Sequence, residues 1–428
     1  MDLLRLDREI EAAVTALARW RARIHAGEAA AWDEAPLESR REVQGKRLRD
    51  ALAALPPSPV EGPLRDALVA WVEALTVARV ARDAEVDLSR AEHEPRGTLN
   101  LERATKVSLH DAVRGLVAST SAEEARRHVA AIDECAPLVL EARRRVRDLE
   151  REVLSRLEVA DADGPPALVA TARAFLDHTR DLARDELKRR PAPTWPLALD
   201  VTLARSAAEG WPNRLGPRFV LDALRGWTQG VRLPAFTVPS AHGGASFAIA
   251  FARFGVALRH AFSPRGIPFT LRVPPRFVDA ERFGLLFASL LATRRFSTRR
   301  LGLSQRVAAA QSRAFAAAFL VEARRLAAKL CVLVGAPKDE LAHEVLGEAD
   351  RASSLFFDLA PGDVGRALAL FGVAPLAREL RDRHDDDWFD NPRAIVELRS
   401  RSAAPAPEIA PSGDAAVELA RAFEVELR

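Results

Sequence analysis

The chain has 428 residues and not one tyrosine. A protein without tyrosine has no phenol to offer as an acid or as an oxyanion donor. Cysteine is nearly absent too. Cys135 and Cys331 are the two copies, far too separated for a disulfide framework or a Cys-based zinc site. Both sit in apolar helical surroundings (DECAPLVL and AKLCVLV), as expected of reduced core thiols in a cytoplasmic protein. Long apolar runs are missing: none approaches the ~18 residues of a membrane span. The opening stretch MDLLRLDREIEAAV mixes charge into its apolar residues, which is not the pattern of a signal peptide. Neither charge sign is in excess. Lys+Arg total 63 against Asp+Glu 60, a net charge of +3, so a general polyanion-binding surface and a nucleic-acid partner are not expected.

The familiar catalytic signatures are absent as well. The chain has no phosphate-binding G-x-x-x-x-G-K-[ST], no G-x-G-x-x-G opening a helix and no G-x-S-x-G elbow. Its His-Glu pairs, His93-Glu94 and His343-Glu344, are followed by Gly97 and Gly347, where a zincin helix needs a second His on the same face. The run His384-Asp385-Asp386-Asp387 reads as a solvated loop, because consecutive side chains diverge rather than converge on one ion. Arg143-Arg144-Arg145 reads as a charged helix surface paired with Asp148, Glu150 and Glu152.

What is present is apolar helix. Hydrophobic residues make up 48% and charged residues 29%, which excludes wholesale disorder. Ile10, Val14 and Leu17 share a helical face, as do Leu48, Leu52 and Leu55 before Pro56-Pro57-Ser58-Pro59. Ser121 and Glu124 have capping-box spacing at the head of a long helix to about Leu157. Gly164-Pro165-Pro166 opens another, ending near Arg189-Arg190. Further helices are expected at Ala245–Phe262, Ala280–Ala292, Gln305–Leu333, Asp339–Leu346, Asp363–Arg383, Pro392–Arg401 and Asp414–Arg428. Only VRLPAFTV (Val231–Val238) and FTLRV (Phe269–Val273) read as strand, at most a small β-ribbon whose prolines confine it to sheet edges. The expected organisation is mainly α: an N-terminal helical region 1–110, a helical lobe 111–190, a larger lobe 191–401, a Pro/Ala linker 402–413 and a closing helix 414–428.

Several segments, taken in order, resemble a known family. VRLPAFTVPSAHGG (Val231–Gly244) leads into AFARFGVALRHAFSP (Ala250–Pro264). FGLLFA (Phe283–Ala288), RRLGLS (Arg299–Ser304), the helix Arg313–Leu330 and ELRDRHDDDWFDNPRAIVELR (Glu379–Arg399) follow. Together they are similar to the thimet-oligopeptidase/oligoendopeptidase-type zinc metallopeptidases and their carboxypeptidase Taq-like relatives. The resemblance spans about residues 120–400 and implies two helical lobes around a channel that holds peptide.

Carried over residue by residue, the resemblance also implies that the catalytic apparatus is gone. In the family's H-E-x-G-H-x-x-H helix the glycine matches Gly255. The first zinc His falls on Ala252, the general-base Glu on Arg253, the second His on Val256 and the late His on Arg259. The third ligand, a Glu on a following helix, falls on Phe283, and the family's tyrosines fall in the region of Val364, Arg366 and Leu368. Ala, Val and Phe donate nothing to zinc, and a guanidinium cannot take a proton from water. The expectation is a pseudo-peptidase without cofactor or metal, binding peptide or pairing with an active paralogue. An unrelated helical scaffold and residual peptidase activity are the alternatives. The candidate cleft residues are Arg253, Arg259, His260, Gly243 and Gly244. Arg253 either meets a peptide carboxylate or, the favoured reading, pairs internally with Asp279 or Glu281. Ala252, Val256 and Phe283 are expected to lie in packing distance of one another.

Overall fold

A computed structural model describes residues 1–56, 58, 61–100, 105–119, 121–159, 166–189, 217–236, 244–264, 266–275, 278–346, 355, 357–360, 362–403 and 412–427. The fold is mainly α-helical, and the described residues form two compact units. The first comprises Met1–Val113, Arg126–Asp163 and Pro264–Phe277; the second comprises Arg114–Ala125, Gly164–Ser263 and Val278–Arg428.

The first unit is built on α1 (Leu3–His25), α2 (Lys46–Ala53), α3 (Gly62–His93), the start of α4 (Leu109–Ala118) and most of α5 (Ala122–Arg156). The capping signals act as their chemistry requires. Asp2 accepts the Arg5 amide at 3.0 Å at the head of α1, and Ser121 accepts the Glu124 amide at 3.2 Å at the head of α5. Ile10, Leu17, Leu68 and Leu75 are buried in one core with Trp20 and Trp71. The arginines of α5 are tied differently from the expectation. Arg143 and Arg145 bond Glu92 and Asp87 of α3 at 3.2 and 2.7 Å, so this charged surface fastens two helices.

Strand structure occurs in one place among the described residues, and not where the β-ribbon was expected. Gly97–Asn100 (β1) pairs antiparallel with Thr105–Val107 (β2), with an irregularity between Thr98 and Asn100. A methyl on Gly97 would strike the Ala131 carbonyl, so only glycine lets β1 lie this close to α5. Of VRLPAFTV, residues 231–236 form no strand and 237–238 lie outside the described residues. Most of FTLRV is instead a short helix, Phe269–Arg272. Pro268 precedes it, and the buried Asp7 carboxylate captures the Phe269 and Thr270 amides at 2.9 and 2.8 Å and the Thr270 hydroxyl at 2.8 Å. Three bonds from one carboxylate override the β-propensity of these residues. With α6 (Pro166–His178), α7 (Arg180–Lys188), α8 (Pro217–Ala223) and α9 (Gly244–Phe262) preceding it, this turn of helix is α10.

The second unit also contains α11 (Val278–Ser289), α12 (Arg294–Arg299), α13 (Gln305–Leu333), α14 (Lys338–Leu346), α15 (Asp363–His384), α16 (Pro392–Ala403) and α17 (Gly413–Leu427). Its core is aromatic. Trp227 meets Phe287 and Trp388 edge-on at 5.1 and 5.7 Å, and its indole donates to the Phe389 carbonyl at 2.8 Å. The helix expected between residues 165 and 190 breaks at Thr179. There the fully buried Arg324 donates to the Leu176 carbonyl at 2.7 Å and the Thr179 hydroxyl at 2.6 Å. Of the linker expected at 402–413, residues 404–411 lie outside the described residues, while Ser402 and Ala403 end α16 and Gly413 opens α17. Among the described residues no helix is long and apolar enough to cross a membrane.

Candidate functional site

The helix singled out by the sequence is α9. Phe247, Phe251, Phe254 and Leu258 bury one side of it in the aromatic core. A second face crosses α11, and two glycines set the approach. A methyl at Gly255 would collide with the Phe283 carbonyl, and one at Gly284 would lie 3.0 Å from the Ala252 carbonyl and 3.2 Å from Val256 Cγ2. Positions 252 and 256 therefore sit against the backbone at 283–284. Phe283 itself is buried in the same core as Phe251 and Phe254. The crossing brings the backbones of the two helices together at these positions, Ala252 lining a cavity and Phe283 buried in the aromatic core.

The cleft candidates separate. Arg253 is exposed. Of the two carboxylates offered to it, Asp279 is bound by Arg259 and Arg282, and Glu281 stands in the first turn of α11. Arg259 is 4% exposed and Asp279 5%, and Arg259 also donates to the Ser263 hydroxyl at 2.5 Å. The internal ion pair joining α9 to α11 exists, but one helical turn and a half further on than Arg253. His260 is half-buried. Gly244 opens α9, while Gly243 lies outside the described residues.

One wall of the crossing faces a cavity of about 370 Å³ inside the second unit. Ala248, Ile249 and Ala252 contribute from α9, and Glu281, Leu285, Ala288 and Ser289 from α11. Helix α13 presents Ala316, Phe319, Ala323, Leu326 and Lys329, residues recurring every third or fourth position and so on one face. Helix α15 presents Asp363, Arg366, Leu370, Ala374, Ala377 and Arg381, and α17 presents Leu419, Ala422, Phe423 and Glu426. The space exists because these helices meet at alanines, whose methyl groups stop short of the centre.

Charge is concentrated at the ends of the apolar stripe on α15, about 27 Å apart for 18 residues of helix. At its start Asp363 accepts from Lys329 and from the Ala360 amide, each at 2.8 Å. Both partners of that ion pair are largely buried, at 11% and 8% side-chain exposure. At its end Arg381 is close enough to Glu426 to act on its carboxyl. Burial pushes the Glu426 carboxyl up to about 7, with Asp386 adding to the rise and Arg381 opposing it.

The remaining motifs have structural employment. The acidic run before Trp388 is pinned rather than merely solvated. Asp387 meets Arg299 at 2.6 Å, Asp386 meets Arg295 at 3.5 Å, and His384 bonds Glu397 at 2.7 Å. Cys135 and Cys331 are buried, and burial raises both thiols above their usual range. Among the described residues no three His, Cys, Asp or Glu side chains come together to hold a metal ion. The cavity's Lys329, Asp363 and Glu426 escaped the sequence reading. The signal that could have found them is the alanine stripe running down α13 and α15, with charge at its ends.

No protein-family model matches the chain, and no curated protein matches it.

Proposed function

We propose that the chain is a metallopeptidase-like protein that binds without cleaving, a pseudo-peptidase whose partner is a peptide or a catalytically intact paralogue. The observation that carries this reading is the glycine-mediated crossing of α9 and α11. It brings the backbone at 283–284 against Ala252 and Val256, so the three positions to which the resemblance carries the zinc ligands lie on two helices in close contact, with alanine, valine and phenylalanine there. Such side chains supply no lone pair to a cation. Arg253, in the general base's place, offers a guanidinium, which has no lone pair to take a proton from water.

The test uses the full chain purified without chelator. Elemental analysis is expected to give far less than one zinc per chain, and a quenched-fluorescence peptide library is expected to show no phenanthroline-sensitive cleavage. Peptides from the same library, or a co-purified intact paralogue, are expected to raise the thermal midpoint. Stoichiometric zinc accompanied by turnover would overturn the proposal.

A further inference from the structure

The cavity between α9, α11, α13, α15 and α17 has properties that together define an occupant. Its wall is hydrocarbon, the methyls of Ala252, Ala288 and Ala374 alternating with Leu285, Leu370 and Phe423. Its volume, about 370 Å³, falls within the roughly 300–1,000 Å³ typical of small-molecule sites.

Its charged groups differ in how they are engaged. Glu322 is bound to Arg325 at 2.5 Å and Asp363 to Lys329 at 2.8 Å. Glu281 stands in the first turn of α11, where the unsatisfied helix amides offset a negative charge. At the far end of the stripe Arg381 acts on the Glu426 carboxyl. Arg366 is different. It lies one turn after Asp363, on the face of α15 that carries Leu370 and Ala374 into the cavity, and its side chain is exposed. No hydrogen bond or ion pair engages its guanidinium among the described residues. A guanidinium at the mouth of an apolar well can grip a planar carboxylate with two parallel bonds, and the well behind it takes the chain attached to that carboxylate.

We propose that this cavity binds an amphipathic monocarboxylate, a fatty acid of medium chain length, with its carboxylate on Arg366 and its hydrocarbon along the alanine-lined face of α15. The proposal rests on the cavity and the guanidinium at its mouth rather than on the peptidase resemblance, although Ala252 and Arg366 are also positions that resemblance singled out.

The test is isothermal titration of the delipidated full chain with dodecanoate, with dodecanol and dodecylamine as comparators. Dodecanoate is expected to bind one to one and more tightly than either comparator. Arg366→Gln is expected to weaken dodecanoate by about 10- to 100-fold, the loss of a charge-assisted bond, and to leave dodecanol unchanged. Ala374→Phe, which fills the well, is expected to abolish binding of both. Ala288→Leu serves as a second filling variant, and a thermal melt checks that each variant is folded. Three results would each overturn the assignment: tighter binding of dodecylamine, an unchanged dodecanoate affinity in Arg366→Gln, or dodecanoate binding to folded filled variants as it does to the parent.

Discussion

Glu426 couples this protein to pH through a single carboxyl. Its folded pKa of about 7 lies above the ordinary 4.5. The protonated form is therefore favoured by folding, and the associated stability is complete below about pH 4.5 and is lost as pH rises through about 7. The cost of ionising this half-buried group at pH 8 is at most about 3 kcal/mol, less what solvent screening recovers. Glu426→Gln removes that cost. Urea denaturation should give the variant higher stability than the parent at pH 8, with the two converging near pH 4.5. Equal curves at pH 8 would mean that the carboxyl ionises freely. This residue could not have been picked from the sequence, where it is one acidic side chain on a short amphipathic helix. Its shift comes from neighbours on other helices, which no local pattern encodes. Arg366 is the instructive contrast, since the peptidase resemblance already pointed to its neighbourhood while giving no hint of an apolar well behind it.

At the scale of elements, the α9–α11 crossing is held by steric closeness and by one buried ion pair. Gly255→Ala drives a methyl into the Phe283 carbonyl. Backbone cannot yield as a side-chain tip can, so the helices must part, at about 1–3 kcal/mol. Gly266→Ala meets nothing within 4 Å and should be close to neutral. The urea midpoints of the two variants, measured side by side, decide whether the crossing is as tight as described. Asp279→Asn leaves Arg259 buried without its counter-charge and should cost about 3–5 kcal/mol. The double change Arg259→Met with Asp279→Leu should recover much of that loss, because a buried ion pair is weak evidence for net stability. Element positions were readable from the chain wherever a 3.6-residue apolar stripe met a cap or a proline. Gln305–Leu333 was legible to the residue from its apolar pattern, and Ala122–Arg156 followed from Ser121. The failures share a physical cause. Phe269–Arg272 has strand-like residues but is helical because Asp7, more than 250 positions earlier, binds its amides. The α6–α7 break at Thr179 is made by Arg324, likewise remote in sequence.

For the molecule as a whole, the division of the chain matters more than any one helix. Residues 264–277 belong with the N-terminal unit, although composition alone grouped them with the stretch from 191 to 401. Asp7→Ala should therefore destabilise that unit by about 2–4 kcal/mol, since it strands two amides and a hydroxyl in the interior. Hydrogen exchange is expected to speed up first at Phe269 and Thr270. Protection there that survives the substitution would show that Trp71 alone holds the segment, through its indole bond to the Val273 carbonyl at 2.6 Å.

That same discontinuity has a consequence for how the protein is made. During synthesis the Asp7 carboxylate and the Trp71 indole leave the ribosome early, yet the backbone groups they bind are not translated until some 200 to 260 residues later. The first unit must wait, incompletely sealed, until residues 264–277 are made, so a chain whose synthesis stops short of them would keep an apolar core unclosed.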